Sequence, residues 1–484
     1  MCCGLFGVQI VWALHNVNTS RIFQTFGADI DELAFLWIAA PAAGLLVQPI
    51  VGYLSDRTWG RLGRRRPYML LGAILSAAAL VAMPNVATLW AASVMLWILI
   101  AAINIVMEPF RVLVADSVPA GQRTLGFALQ VFFIGTGAVF ASALPWLLHN
   151  GFDVGAEAPA GLLPPAVRIA FYIGAIALLA SVGWSVFTVT EPTPAEMHAA
   201  TPGPAATGGA TPLDPAPMAR WGWGCIAGGV AIALLGFAWL GSRELYVLAG
   251  IAGAFGVLLL LTSVRRRRGA IGMLEIVEDI VAMPTILRHL GAVQFFTWFG
   301  FFAMWIFMVP AVAARHFGTS DIASRGYALA ADRVSLLFAE YNGVAAVAAL
   351  LLPRAAAAIG RRASYALCLL IGAGGLLGFV VIDSPDLLWV PTIGIGIAWA
   401  AVLSLPYAML AEALPAGKRG VYMGIHNIFL VLPQLVAASV LGNVVQQMFD
   451  GRSILALALA AACLVAAACC CLTLPQPMGG VRRA

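Results

Sequence analysis

Lysine is all but missing from this chain: Lys418 is the only one in 484 residues. Charge of either sign is scarce, with Asp, Glu, Lys and Arg together at 10%. Soluble domains carry about 25%, so a soluble globular protein is excluded. The formal net charge of +5 is concentrated in a few short arginine-rich loops. That pattern fits orientation against anionic lipid and argues against nucleic acid as a partner. Eight cysteines make no disulfide framework. Cys2 and Cys3 stand at the start, and Cys225, Cys368, Cys463, Cys469, Cys470 and Cys471 fall in apolar runs, where a free thiol behaves as a small hydrophobe. No Cys/His spacing suits a metal site, and no nucleophile or metal constellation marks an enzyme. A cleavable leader is not expected, because the first apolar run begins almost at Met1 and reads as a retained span.

What the chain has is apolar length. It is 62% hydrophobic, with a mean hydropathy of +0.93. A bilayer core is crossed by about 20 apolar residues in a helix. Such runs lie near 4–24, 33–55, 67–84, 88–117, 122–148 and 166–189. A Pro-rich polar segment, Thr190 to Ala219, follows and reads as a linker. Two apolar runs, 221–241 and 244–264, come next, closed by Arg265 to Arg268. An amphipathic stretch from Leu274 to Leu287 leads into 289–313, 333–352, 363–382, 386–412, 420–447 and 453–473. The expectation is an all-α membrane protein of about 14 transmembrane helices, six plus two plus six. Its parts are an N-terminal six-helix half (1–189), a linker on the cytoplasmic side (190–219), an inserted hairpin (220–268) and a C-terminal six-helix half (269–484).

Arginine sets the orientation. Arg57 to Arg66, Arg123, Arg220, Arg265 to Arg268, Arg354, Arg361, Arg362, Lys418, Arg419, Arg482 and Arg483 fall on one side of this arrangement. Asp29, Asp31, Glu32, Asp153, Glu157, Asp383, Asp386 and Asp450 fall on the other. The positive-inside rule then puts both termini in the cytoplasm of a cell (inner) membrane protein. The halves also repeat. Ala115-Asp116-Ser117-Val118-Pro119-Ala120-Gly121-Gln122-Arg123 aligns with Ala411-Glu412-Ala413-Leu414-Pro415-Ala416-Gly417-Lys418-Arg419 at an offset of 296, and Gly63-Arg64-Arg65 with Gly360-Arg361-Arg362 at 297. A same-direction repeat of six helices has its axis along the membrane normal.

Polar groups inside such spans are expensive and point to function. The fourth run holds Glu108 and Arg111, which share a helical face, and Asp116 near its end. Glu108 and Asp116 are candidates for carrying a proton, and Arg111 for binding substrate hydroxyls. Asp116 could equally cap the next helix, since Pro119 follows so soon. Gln9, Trp12 and Asn16 share a face of the first run; Gln48, Gln130, His426, Asn427 and Gln434 are further intramembrane polars. Neutral amides and aromatic faces suit a sugar, with Trp298, Trp305 and Trp399 as stacking candidates. Asp56 with Arg57 and Arg64 is expected to form a charge lock that one conformational state makes and the other breaks. Gly52, Gly63 and Arg65 complete that loop.

Gly52-x3-Asp56-Arg57 followed by Gly63-Arg64-Arg65 resembles the signature loop of the major facilitator superfamily. Phe23 to Gly27, Trp37, Gly44, Gln48-Pro49, Glu108-Pro109-Phe110-Arg111, Ala115-Asp116, Asn427 and Pro433-Gln434 extend the resemblance to the sucrose/maltose-type sugar–proton symporters, relatives of plant sucrose transporters and of the glycoside–pentoside–hexuronide family. It implies two rocking six-helix halves around a central cavity. It also implies roles in transport for Arg111 and Asp116, the aspartate in proton coupling. Where plant members carry an acidic motif in span seven, this chain reads Phe302-Ala303-Met304-Trp305-Ile306-Phe307-Met308. The pair 221–264 lies outside the core fold and reads as a peripheral hairpin. The expected function is proton-coupled uptake of an α-glucoside disaccharide, maltose or sucrose, by a monomer in a lipid bilayer, with a proton as coupling ion and no other cofactor. Sodium coupling and a transport-deficient sugar sensor are the alternatives.

Overall fold

The computed structural model describes residues 1–25, 39–86, 88–155, 165–193, 196, 215–240, 243–267, 272–321 and 324–475. Residues 26–38, with Trp37 and the acidic Asp29, Asp31 and Glu32, most of the 190–219 linker and the side chain of Asn16 lie outside the described residues. Among the described residues no strand forms, and one isolated bridge joins Gly60 and Gly63. Helix is the outcome that physics forces on long apolar runs, because lipid offers no partner for backbone N–H and C=O groups.

The first six long helices are α1 (Gly4–Thr25), α2 (Ala39–Arg57), α3 (Arg66–Ala82), α4 (Leu89–Ser117), α5 (Arg123–Phe152) and α6 (Pro165–Thr188). The inserted pair is α7 (Pro215–Leu235) and α8 (Arg243–Arg267), and α9 (Glu275–Val281) is short. The last six are α10 (Thr285–His316), α11 (Arg325–Ile359), α12 (Arg361–Val381), α13 (Trp389–Ala413), α14 (Arg419–Met448) and α15 (Ile454–Leu472). Twelve of these are long and apolar enough to cross a membrane. α1 and α2, of 22 and 19 residues, complete the expected fourteen only as helices.

Two differences from the sequence reading have local causes. The amphipathic stretch 274–287 is broken in the structure: α9 ends at Val281 and α10 starts at Thr285. Pro284 carries ψ 147, and the residue before a proline is driven out of the helical region. α11 begins eight residues before the expected 333, where Ser324 caps it by accepting from the Tyr327 N–H. Its first turns carry Arg325 and Arg333, so the apolar window stops short of the helix.

Two large apolar cores form among the described residues. One joins α1 to α6 through residues such as Leu14, Leu80, Ile103, Phe110 and Phe171. The other joins α10 to α15 and takes in Val114, Phe127 and Val131 from α4 and α5. α2 packs on α14 and α5 on α11 across the seam. α7 and α8 pack on each other, with 17% and 33% of their spans buried against 39–56% in the other ten. That difference places the hairpin at the edge of the bundle.

The repeat is visible in the backbone. After α4, Val118 is extended and a 3-10 turn, Ala120–Gln122, opens α5. After α13, Leu414 is extended and the turn Ala416–Lys418 opens α14. Pro119 and Pro415 stop the preceding helices in the same way.

Candidate functional site at the seam between the halves

The arginine-rich end of the bundle is closed by a buried charge network. Glu191, just past α6, accepts from the backbone N–H groups of Arg64, Arg65 and Arg66 at 2.9–3.0 Å. It thereby satisfies the orphan donors at the start of α3. Gly63, at φ +93, supplies the left-handed turn that brings those N–H groups together. Arg64 then reaches Asp116 at 2.6 Å, and Arg65 pairs with Asp56 and lies 3.5 Å from Asp116. Arg65 is fully buried. Burial works against its guanidinium, but Asp56, Asp116 and Glu191 outweigh that and hold its pKa above the ordinary value.

The network crosses the seam. Asp56 accepts from the Gly420 and Val421 N–H groups at 3.2 and 2.9 Å. A carboxylate of α2 therefore sits at the N-terminus of α14, where the helix dipole favours negative charge. Arg419 donates to Asp116 at 3.1 Å and to the Ala115 carbonyl at 3.4 Å. The repeat partner of Arg419 is Arg123, which donates to the Ala411 carbonyl at 2.9 Å. The halves thus grip each other reciprocally. Arg361 pairs with Glu412 as Arg64 pairs with Asp116, and it also reaches Thr124 across the seam at 2.8 Å.

The geometry corrects one expectation. Arg57 does not join Asp56 in this lock. It points away, lies over the Tyr53 ring at 4.3 Å and pairs with Glu275 of α9. Arg57 is the last residue of α2, so its side chain leaves the helix beyond the seam. The partner of Asp56 is Arg65, with Arg64 at 4.0 Å.

A second polar layer lies deeper. Gln48 and Glu108 are each nine residues inside their helix ends, and Tyr407 and His426 six and seven. At 1.5 Å per residue this is about 9–14 Å in. Gln48 donates to Asn104 at 2.6 Å, and Arg111 donates to Gln48 at 3.5 Å. The Arg111 guanidinium also lies 4.7 Å over the Tyr407 ring of the other half, a cation–π contact. Tyr407 meets His426 edge-on. Tyr365 donates to the Gln294 carbonyl oxygen at 3.3 Å, and the Gln294 amide lies 3.1 Å from His426 Nε2. Both oxygens of the Glu108 carboxyl are buried without a hydrogen-bond partner, as is the Tyr407 hydroxyl.

The other proposed site residues are spread around this layer. Asn427 donates to the Gly44 carbonyl at 3.0 Å and so joins α14 to α2. Gln130 ties α5 to the Phe110 carbonyl at 3.3 Å. Trp12 donates to the Met107 sulfur at 3.1 Å within the first half. Gln9 is half-buried on α1, and Gln434 donates to the Leu430 carbonyl of its own helix. Trp298, Trp305 and Trp399 form one cluster with Tyr341 and Phe301, ring centres 5.2–6.4 Å apart. Tyr407, Gln294 and Glu191 were not legible beforehand: each is an ordinary residue until helices distant in sequence meet. Glu412 was, through the repeat. Among the described residues no group of three His, Cys, Asp or Glu side chains could hold a metal.

Comparison with known proteins agrees with this architecture. The family model described as Major Facilitator Superfamily matches residues 1–218. The chain is 33% identical over 159 residues to the general alpha-glucoside permease of Schizosaccharomyces pombe, which covers 30% of this chain and 29% of that protein. It is 33% identical over 148 residues to sucrose transport protein SUT1 of Oryza sativa, covering 26% and 27%. The chain thus matches less than a third of the length of these curated relatives. A solved structure of the major facilitator transporter FucP, in the outward conformation, superposes over 98% of both chains with a TM-score of 0.63 at 13% identity. The chain therefore takes the fold of the major facilitator transporters, with twelve described helices long and apolar enough to cross a membrane. Over 26–30% of its length it resembles an α-glucoside permease and a sucrose transport protein.

Proposed function

We propose that this protein is a secondary active transporter that couples proton entry to uptake of an α-glucoside disaccharide, maltose or sucrose, by alternating access. The observation that carries the reading is Glu108: a carboxyl well inside its helix, wholly buried, without a hydrogen-bond partner among the described residues, and one helical turn from Arg111. An unpaired buried charge is costly, and a proton removes it. Asp116 has three arginine partners, so in this proposal it belongs to the lock and Glu108 carries the proton. Arg111, Gln48 and Asn104 offer donors and acceptors to hydroxyls, and the Trp305–Trp399 face of the other half offers stacking surface.

Arginine-rich short loops favour the cytoplasm, which supports reading the closed end as cytoplasmic. The described hydrogen bonds at the opposite end, Arg315–Asp383, Arg333–Pro385 and Arg168–Asn85, each stay within one half. One proton crossing about 150 mV supplies roughly 3.5 kcal/mol, or about 2.5 decades of accumulation. The monomer in the cell (inner) membrane, with both termini in the cytoplasm, is the working unit of this proposal.

The test is uptake of labelled maltose and sucrose into vesicles holding the protein, with an imposed pH gradient, with and without a protonophore. Accumulation that the protonophore abolishes is expected. Accumulation that instead follows a sodium gradient would replace the coupling ion, and no uptake of either sugar by folded protein would overturn the substrate.

A further inference from the structure

The inserted hairpin has no counterpart in the six-helix repeat, yet it leads into a heavily cross-linked segment at the arginine-rich end. Beyond α8 the chain passes through a 3-10 turn, Gly272–Leu274, into α9. α9 touches α2, α8 and α14. Glu275 pairs with Arg57 of α2 and, at 3.3 Å, with Lys418 ahead of α14. Asp279 takes Lys418 at 2.6 Å and the Tyr422 hydroxyl at 3.5 Å. Glu278 takes Arg266 of α8 at 3.4 Å. The Tyr53 hydroxyl donates to the Gly272 carbonyl at 3.1 Å. Val277 packs with Met218 and Leu259 of the hairpin, and Ile276 joins the core of the second half.

One short helix therefore holds both halves and the hairpin at once. Its connection to α10 is only Ala282 to Pro284, so α9 must travel with the second half. Its grip on the first half is Arg57 and Tyr53. Both lie on α2, beside Gly52, whose Cα packs on the Gly420 backbone of α14. Parting α2 from α14 at this end breaks those two contacts and leaves the others intact.

We propose that the inserted hairpin and α9 form a latch that holds the arginine-rich end closed and releases before that end opens; this rests on the alternating-access reading above. Arg57 is thereby assigned to the latch, separate from the Asp56 lock. Each exposed pair alone is weak, so the latch biases the equilibrium and the buried Asp56 network does most of the holding.

The experiment is a spin-label distance measurement between cysteines placed at Arg61 and Gly417, both exposed, in full-length protein whose native cysteines are replaced. Glu275→Arg faces Arg57 and Lys418 with like charge and is expected to raise the long-distance, open population roughly three- to tenfold. Adding Arg57→Glu should return it part of the way. Tyr53→Phe, which deletes one hydroxyl, should shift it in the same direction by less. If Asp56→Ala lengthens the distance while Glu275→Arg and Tyr53→Phe leave it at the native value, the latch is refuted and the rocking reading stands. If the distance stays single in every variant and with maltose or sucrose added, the rocking reading falls as well.

Discussion

Asp56→Asn is the most informative single change to the lock. The native carboxylate is almost fully buried, pairs with Arg65 and accepts two backbone N–H groups from α14. Removing one partner from a buried pair costs about 3–5 kcal/mol. Here the lower figure applies, because Arg65 keeps Asp116 and the Ser55 hydroxyl, and the asparagine oxygen still accepts one N–H. Loss of the charge at the α14 N-terminus is contained within that figure, its own share being at most about 2 kcal/mol. The Arg65 pair lies within the first half and is lost from both states, whereas the Gly420 and Val421 N–H groups lose the carboxylate only in the closed state, so the helix-terminus share of at most about 2 kcal/mol sets the shift. About 2 kcal/mol is roughly one and a half decades in the closed-to-open ratio. Val421 is buried at the seam in the closed state, and a cysteine there becomes reachable only when α2 and α14 part. With Val421→Cys in a background free of native cysteines, a membrane-impermeant maleimide applied from the arginine-rich side should label the Asp56→Asn protein about 30-fold faster, up to the limit of full opening. A change under about threefold would show that Asp56 does not hold this seam.

Glu108→Gln should abolish accumulation driven by a pH gradient while sugar-for-sugar exchange survives; retained accumulation would move the proton to another group. Arg111→Lys keeps charge but not the flat face over Tyr407, so the KM for sugar should rise about tenfold with unchanged expression. The two repeated pairs should differ in weight: Asp116→Asn, with both partners buried, should lower the Tm well beyond Glu412→Gln, whose pair is a fifth to a third exposed, since half-exposed pairs contribute about 0–1 kcal/mol. Gly424→Ala places a methyl 2.7 Å from the Gln48 carbonyl and the Pro49 Cα and should open the seam as Asp56→Asn does, read by the same labelling rate.

How much of this was legible beforehand follows from particular residues. Apolar length and the stop at Pro119 and Pro415 are local properties, so helix ends were readable to within a few residues where the helix ends with its apolar window. They were misread at α11, whose polar first turns run past that window, and at Pro284, where one residue splits an amphipathic stretch. The offset between Asp116 and Glu412 announced that both halves close with the same pair. Nothing in the sequence told Arg57 from Arg65 as the partner of Asp56, since both stand in one charged loop.

By itself the sequence determined that the chain lives in a membrane, that it is helical, and that two halves share one plan, because these depend on hydropathy, backbone satisfaction in lipid and spacing along the chain. Only the tertiary structure decided which charges meet. Glu108 without a partner, Arg111 over Tyr407, Asp56 at the start of α14 and α9 clasped between the halves all depend on helices distant in sequence coming within a few ångströms. In a medium that screens charge so little, that proximity settles what each charge does.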